Sequence, residues 1–259
     1  MSVNTIFSVS NAVSILERAL HFLNAGTEHS KPHSSDHYEH DEIHQSFNLT
    51  QGNRIEVSST NGSVEVESID GDVAEVHIIR SAKIKTDLAW RKLTIEQTPK
   101  GLIIEPVYDE DLRPRSVWVD HYVLLKVPRY SSFTSRGVSG SINIATIDGT
   151  VKVSGCSGSV MMNETNGPTD ISGVSGSVIL NVTRLSEPGL RVSGISGTVE
   201  LRVPDTLDAE LSITDLSGRV FIDIPQQEPR PFGYYYRLGR GGPRISVSGV
   251  SGNIIVRRS

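Results

Sequence analysis

The residues of this chain that could do chemistry are few, and the histidines come first. Six of eight lie between His21 and His44. His33, His37, His40 and His44 step by 4, 3 and 4, which would align them on one face of a helix. Asp36, Glu39, Asp41 and Glu42 stand among them. Neutral imidazoles at that spacing could hold zinc or nickel. Pro32 and Ser34-Ser35 oppose a helix, and a solvated histidine-rich run binds metal weakly. The stretch therefore reads as a linker, and no metal site is assigned.

Other candidates also have structural readings. The single cysteine, Cys156, occupies a slot filled elsewhere by Ile147, Val174 and Ile195, so it reads as a core residue. Arg230 to Arg240 interleaves arginines with Phe232, Tyr234, Tyr235 and Tyr236, a surface that could stack on sugars or bases. It also reads as a loop flanking the last strands. The repeated Ser-Gly-x-Ser-Gly lacks the Gly-x-Ser-x-Gly order of a nucleophile elbow, and its serines are too periodic to be nucleophiles. Asp148, Lys152, Glu164 and Asp170 are the only charges between 137 and 182, too sparse for a hydrolase or lyase groove. No catalytic residue and no cofactor is assigned.

Composition bounds the rest. A formal charge of −5, from 25 Lys+Arg against 30 Asp+Glu, argues against nucleic-acid binding driven by bulk charge. One cysteine excludes an intrachain disulfide framework. No apolar run approaches a membrane span. Ala12 to Leu16 meets Glu17 and Arg18 at once, so no signal peptide is expected if Met1 is the true start, and on that condition the chain would be cytoplasmic.

The elements that must position these residues show in the periodicities. Val13, Leu16, Leu20 and Leu23 predict a short amphipathic helix over 11–24, ended by Gly26, ahead of a flexible extension to residue 44. From 45 onward the pattern is β. Strands are expected near 54–58, 63–67, 72–80, 92–97, 102–107 and 117–127, an irregular part over 45–135.

Over 136–259 the chain repeats itself. Gly140, Gly149, Gly158, Gly167 and Gly176 are nine apart, with later copies at Gly197, Gly218 and Gly252. Two and four residues past these glycines stand mostly apolar residues, such as Ile142 and Ile144, Val160 and Met162, or Val178 and Leu180. That is period-two alternation with one buried face. Ser-Gly-x-Ser-Gly recurs only at every second corner, at 154–158, 172–176, 193–197 and 248–252. The unit is therefore a two-strand coil of 18 residues, stretching to 21. These features predict an all-β fold, a β-solenoid (single-chain β-helix) wound right-handed as parallel crossovers usually are. An antiparallel meander is the alternative.

Three segments resemble a known family. They are Arg54-Ile55-Glu56-Val57 with Thr60 to Val66 and Asp70-Gly71-Asp72; Val127-Pro128 running into Gly137 to Ile142; and Tyr236 to Gly242 leading to Val250 to Ile254. Together they are similar to the bacterial putative-adhesin β-repeat domain, a domain of unknown function, over 45–259. The resemblance implies a β-repeat fold. Members of that family are often exported or membrane-anchored.

The expected function is thus a scaffold or adhesion-type module. The alternatives are a polysaccharide-acting β-helix enzyme and a self-assembling filament. The parity that buries positions +2 and +4 turns +3 outward. There stand Asn143, Met161, Ile179, Glu200, Phe221 and Ile255. Met161, Ile179, Phe221 and Ile255 are the candidate partner surface, since contiguous exposed apolar surface marks contact sites. A protein, a second copy or a glycan could bind it. The 11–24 helix could equally cover it.

Overall fold

The computed structural model describes residues 38–49, 52–107, 117–224 and 234–259. The expected 11–24 helix, His29, His33, His37 and the start of the arginine-aromatic stretch lie outside them. Among the described residues the protein is all-β, with one 3-10 turn at Lys85–Ala89. The strands are β1 (Glu39–Asn48), β2 (Arg54–Ser58), β3 (Gly62–Ile69), β4 (Val73–Ala82), β5 (Leu93–Thr98), β6 (Gly101–Pro106) and β7 (Asp120–Pro128). There follow β8 (Ser132–Val138), β9 (Ile142–Ile147), β10 (Val151–Cys156), β11 (Val160–Thr165), β12 (Thr169–Val174), β13 (Val178–Val182), β14 (Leu190–Ile195) and β15 (Val199–Val203). The last are β16 (Ala209–Leu216), β17 (Val220–Asp223), β18 (Tyr234–Leu238), β19 (Arg244–Val250) and β20 (Ile254–Arg258).

They form two ten-stranded mixed sheets. Sheet A runs β1-β4-β7-β3-β9-β11-β13-β15-β20-β17, and sheet B runs β18-β16-β19-β14-β12-β10-β8-β2-β6-β5. From β8 to β15 successive strands alternate between the sheets, each parallel to the strand before last. Val160 faces Ile142 on one side and Val178 on the other, so equivalent residues of the 18-residue unit stack. The +2 and +4 side chains, such as Ile144, Met162 and Leu180 from sheet A and Val153, Ile171 and Val192 from sheet B, fill one core between the sheets. Cys156 lies in register with Val138 and Val174 in that core, and burial pushes its thiol up to about 11.

The corner serines are explained by a hydrogen-bond column. Ser63 Oγ accepts the Ser141 N–H (3.2 Å), Ser141 Oγ that of Ser159 (3.1 Å), and Ser159 Oγ that of Ser177 (3.1 Å). Each serine satisfies a backbone donor of the next layer that no ladder bond reaches.

The two glycines of each Ser-Gly-x-Ser-Gly serve different ends. Gly137, Gly155, Gly173, Gly194 and Gly249 stack in register, with φ between +62° and +67°. Gly140, Gly158 and Gly176 have no positive φ; a Cβ on Gly158 would meet the Gly140 carbonyl carbon at 2.6 Å. Gly140, Gly158 and Gly176 are thus required by close backbone approach, and at these corners the left-handed residue sits three positions earlier.

Two further features depart from the sequence order. β19 and β20 insert between β14 and β16 and between β15 and β17, so the last repeat in sequence is not the last in the stack. The chain leaves β17 and returns as β18, which pairs antiparallel with β16 and covers that edge of sheet B. At the other end the described β structure reaches back to Glu39, ahead of residue 45. β1 pairs antiparallel with β4, Glu39 opposite Ala82 through Asn48 opposite Val73. His40 and His44 therefore stand on a strand and share no helical face.

Candidate functional site

The +3 positions form one continuous outward row on sheet A. Its register runs Leu124, Glu65, Asn143, Met161, Ile179, Glu200, Ile255, Phe221, each residue opposite the next. The four candidate surface residues are thus brought onto one face, two as direct neighbours (Met161 with Ile179) and two more beyond Glu200 (Ile255 with Phe221). Met161 is 42% and Phe221 50% exposed, while Ile179 and Ile255 are half-buried by their neighbours.

Glu200 interrupts the apolar row without being loose. Arg257 Nε donates to it at 2.8 Å and Arg202 Nε binds the same oxygen. Partial burial pushes its carboxyl up, but the hydrogen bonds from the two guanidinium groups outweigh this and hold it below the usual carboxylate range.

Of the carboxylates between 137 and 182, Asp148 is held by structural partners. Asp148 accepts from Arg129 Nε (2.8 Å) and Asn166 Nδ2 (2.9 Å). Burial raises its pKa, yet these partners bring it below the ordinary value, the wrong direction for a general acid. Asp170 sits in the sheet B ladder between Lys152 and Arg191. The described part of the arginine-aromatic stretch is structural too. Arg240 binds the Asp208 carboxylate through Nε (2.9 Å), a terminal nitrogen (2.8 Å) and its backbone N–H (2.7 Å). Tyr236 packs on the core, and Tyr234 and Tyr235 remain exposed on β18.

Sequence reasoning missed a buried polar cluster where β1, β4 and β7 meet the 3-10 turn. Arg80 makes a two-point contact with Asp41 and donates to the Leu88 carbonyl at 2.8 Å. Beside it His121 is buried, Nδ1 lying 3.0 Å from the Asn61 carbonyl and Nε2 3.1 Å from that of Arg91. Burial lowers its pKa against the pull of those carbonyls. His44 stacks obliquely on His77, ring centroids 5.6 Å apart. Among the described residues no group of three or more His, Cys, Asp or Glu converges as metal ligands would.

No protein family matches the chain, and no curated protein does. Among solved structures it is similar to a putative cell adhesion protein from Clostridium sporogenes, at 10% identity and TM-score 0.55, over 85% of this chain and all of that one. A putative adhesin from Parabacteroides distasonis aligns over 85% of this chain and 97% of its own, at 12% identity and TM-score 0.39. The first likeness establishes a shared all-β fold. No helix among the described residues is long and apolar enough to cross a membrane.

Proposed function

We propose that the protein is a non-enzymatic binding module of the adhesion type. Its repeats wind as a right-handed β-solenoid of 18–21-residue coils, and its sheet A face docks a protein surface. The observation that carries this reading is the outward row Met161, Ile179, Ile255 and Phe221, held in register by parallel stacking and exposed at both its ends. The parallel pairing of equivalent residues eighteen apart supports the solenoid. The fold shared with a putative cell adhesion protein supports the class, and the commitment of Asp148 to Arg129 and Asn166 favours binding over polysaccharide chemistry. A second reading, a glycan ligand, rests on the exposed Tyr234 and Tyr235 beside Arg237.

The test is the triple variant Met161→Ser, Ile179→Ser, Phe221→Ser, followed by light scattering over a range of concentrations and by binding of a fluorescent apolar probe. The reading requires a clear loss of probe binding, and a loss of any concentration-dependent mass if the docked protein is a second copy. Equal probe binding by wild type and variant would sink it.

A further inference from the structure

A separate exposed patch lies at the corner where β4 ends and β7 begins. The chain has only two tryptophans, and both stand there. Trp118 is 65% exposed and Trp90 39%, although tryptophan is on average a highly buried residue. Trp118 precedes Val119, which packs with Ala82 and Leu88 in a small apolar cluster of its own, and Trp90 follows Leu88 by two residues. The loop carrying Trp90 is fixed from beneath. Arg80 donates to the Leu88 carbonyl at 2.8 Å, and His121 Nε2 lies 3.1 Å from that of Arg91. Ile84, 59% exposed, and the side chains of Lys85, Arg91 and Lys92 face solvent. Over 83–92 the four basic residues Lys83, Lys85, Arg91 and Lys92 meet one acid, Asp87, in a chain of net −5. Lys85, Arg91 and Lys92 have no ion-pair partner among the described residues. The Trp118 indole N–H already donates to Asp120 at 2.9 Å, so its polar atom does not account for its exposure.

We propose that this corner docks on an anionic membrane surface, with Ile84, Trp90 and Trp118 seated at the level of the lipid headgroups and Lys85, Arg91 and Lys92 against their phosphates. Three features select that partner. Tryptophan, with its apolar ring and single polar edge, concentrates at membrane–water interfaces. Lysines and arginines clustered beside such anchors are drawn to the negative surface potential of anionic lipids. Other partners fit less well: the centre of a protein–protein interface is depleted in lysine, and a saccharide offers nothing to the aliphatic Ile84, whereas the acyl boundary of a bilayer does. The anchors sit on loops, so the contact is with the surface alone. It is also separate from the apolar row of sheet A, since β11, which carries Met161, stands three strands from β7.

Because both tryptophans belong to the patch, the intrinsic fluorescence of the full chain reports on it directly. The experiment titrates the protein with vesicles of phosphatidylcholine alone and of phosphatidylcholine with phosphatidylserine, each also prepared with brominated acyl chains. The phosphatidylserine vesicles should shift the emission to the blue, and their brominated form should quench it. Phosphatidylcholine alone should do neither. Binding should weaken as salt is raised, since surface charges are screened. Lys85→Glu with Arg91→Glu and Lys92→Glu should lower vesicle affinity by at least about tenfold while the urea midpoint stays in place. Met161→Ser with Ile179→Ser and Phe221→Ser should leave vesicle binding unchanged, which separates this site from the apolar row. Absence of quenching, equal quenching by both vesicle types, salt-insensitive binding, or a charge-reversed variant that binds like wild type would each overturn the proposal. So would a blue shift produced by heparin without quenching by brominated phosphatidylserine vesicles, which would mark a polysaccharide site instead.

Discussion

Gly155 and Gly158 stand three residues apart in one repeat and are required for unrelated reasons. Gly155 holds φ at +67° with its nearest neighbour, the Gly137 nitrogen, 3.5 Å from where a Cβ would lie. Gly158 has an ordinary φ but its Cβ would sit 2.6 Å from the backbone of Gly140. Gly155→Ala should therefore cost about 1–2 kcal/mol, the strain of a left-handed alanine. Gly158→Ala should be worse, because a backbone layer must move. Gly155→Asn should recover part of the loss, as asparagine tolerates that region. Ser59 and Asp215, at φ 50° and 51°, already hold this conformation without being glycine. Urea midpoints of the three variants decide the point; Gly158→Ala as stable as Gly155→Ala would refute the close-approach account.

The Arg80–Asp41 contact ties β1 to the body of sheet A. Asp41→Ala leaves a buried guanidinium with only carbonyl acceptors, and should cost about 1–3 kcal/mol. Arg80→Met with Asp41→Ala should be less damaging than Asp41→Ala alone, because the uncompensated charge goes with its partner. A double-mutant cycle in urea measures the coupling, and strict additivity would argue against it.

Stability should fall as pH drops from about 7.5 to 5.5. Burial lowers the pKa of His121; burial and then the neighbouring His77 lower that of His44. A depressed folded pKa means the unfolded chain takes up the proton first, at about 6.5. The stabilisation is complete above that value and declines as pH falls toward the folded values. Asp120, raised by burial, acts in the opposite sense just above the ordinary aspartate range. His121→Gln should flatten the profile, and an unchanged slope would show that His121 does not contribute.

Zinc should leave the melting temperature unchanged. His40 and His44 lie four residues apart on a strand, about 13 Å along it, too far to share an ion. Sub-micromolar zinc binding by calorimetry, abolished by His40→Ala and His44→Ala, would contradict this.

Glu200→Leu should strengthen the partner surface. It removes the one charge between Ile179 and Ile255 and makes the row continuous. Apolar-probe binding should rise above wild type, with some stability lost as Arg202 and Arg257 lose their shared acceptor. Probe binding at or below the wild-type level would mean the row does not act as one surface.

The sequence by itself determined the alternation. Ile142, Ile144, Val160, Met162, Val178 and Leu180 announce a buried face, their outward neighbours Met161 and Ile179 follow by parity, and the Cys156 slot is legible from its equivalents. These are local consequences of a period of two and of an 18-residue repeat. The burial of β7 also left a trace, since Tyr122-Val123-Leu124-Leu125 is apolar on both faces of its strand and all four residues are buried. Tertiary structure alone decided the rest. Which glycine takes positive φ depends on the backbone path through the corner, and which must stay small depends on how near the next layer comes. The insertion of β19 and β20 inside the stack joins strands far apart in sequence, so no local spacing records it. The Arg80–Asp41 pair and the buried His121 likewise arise where β1, β4 and β7 meet, because long-range pairing sets their neighbours.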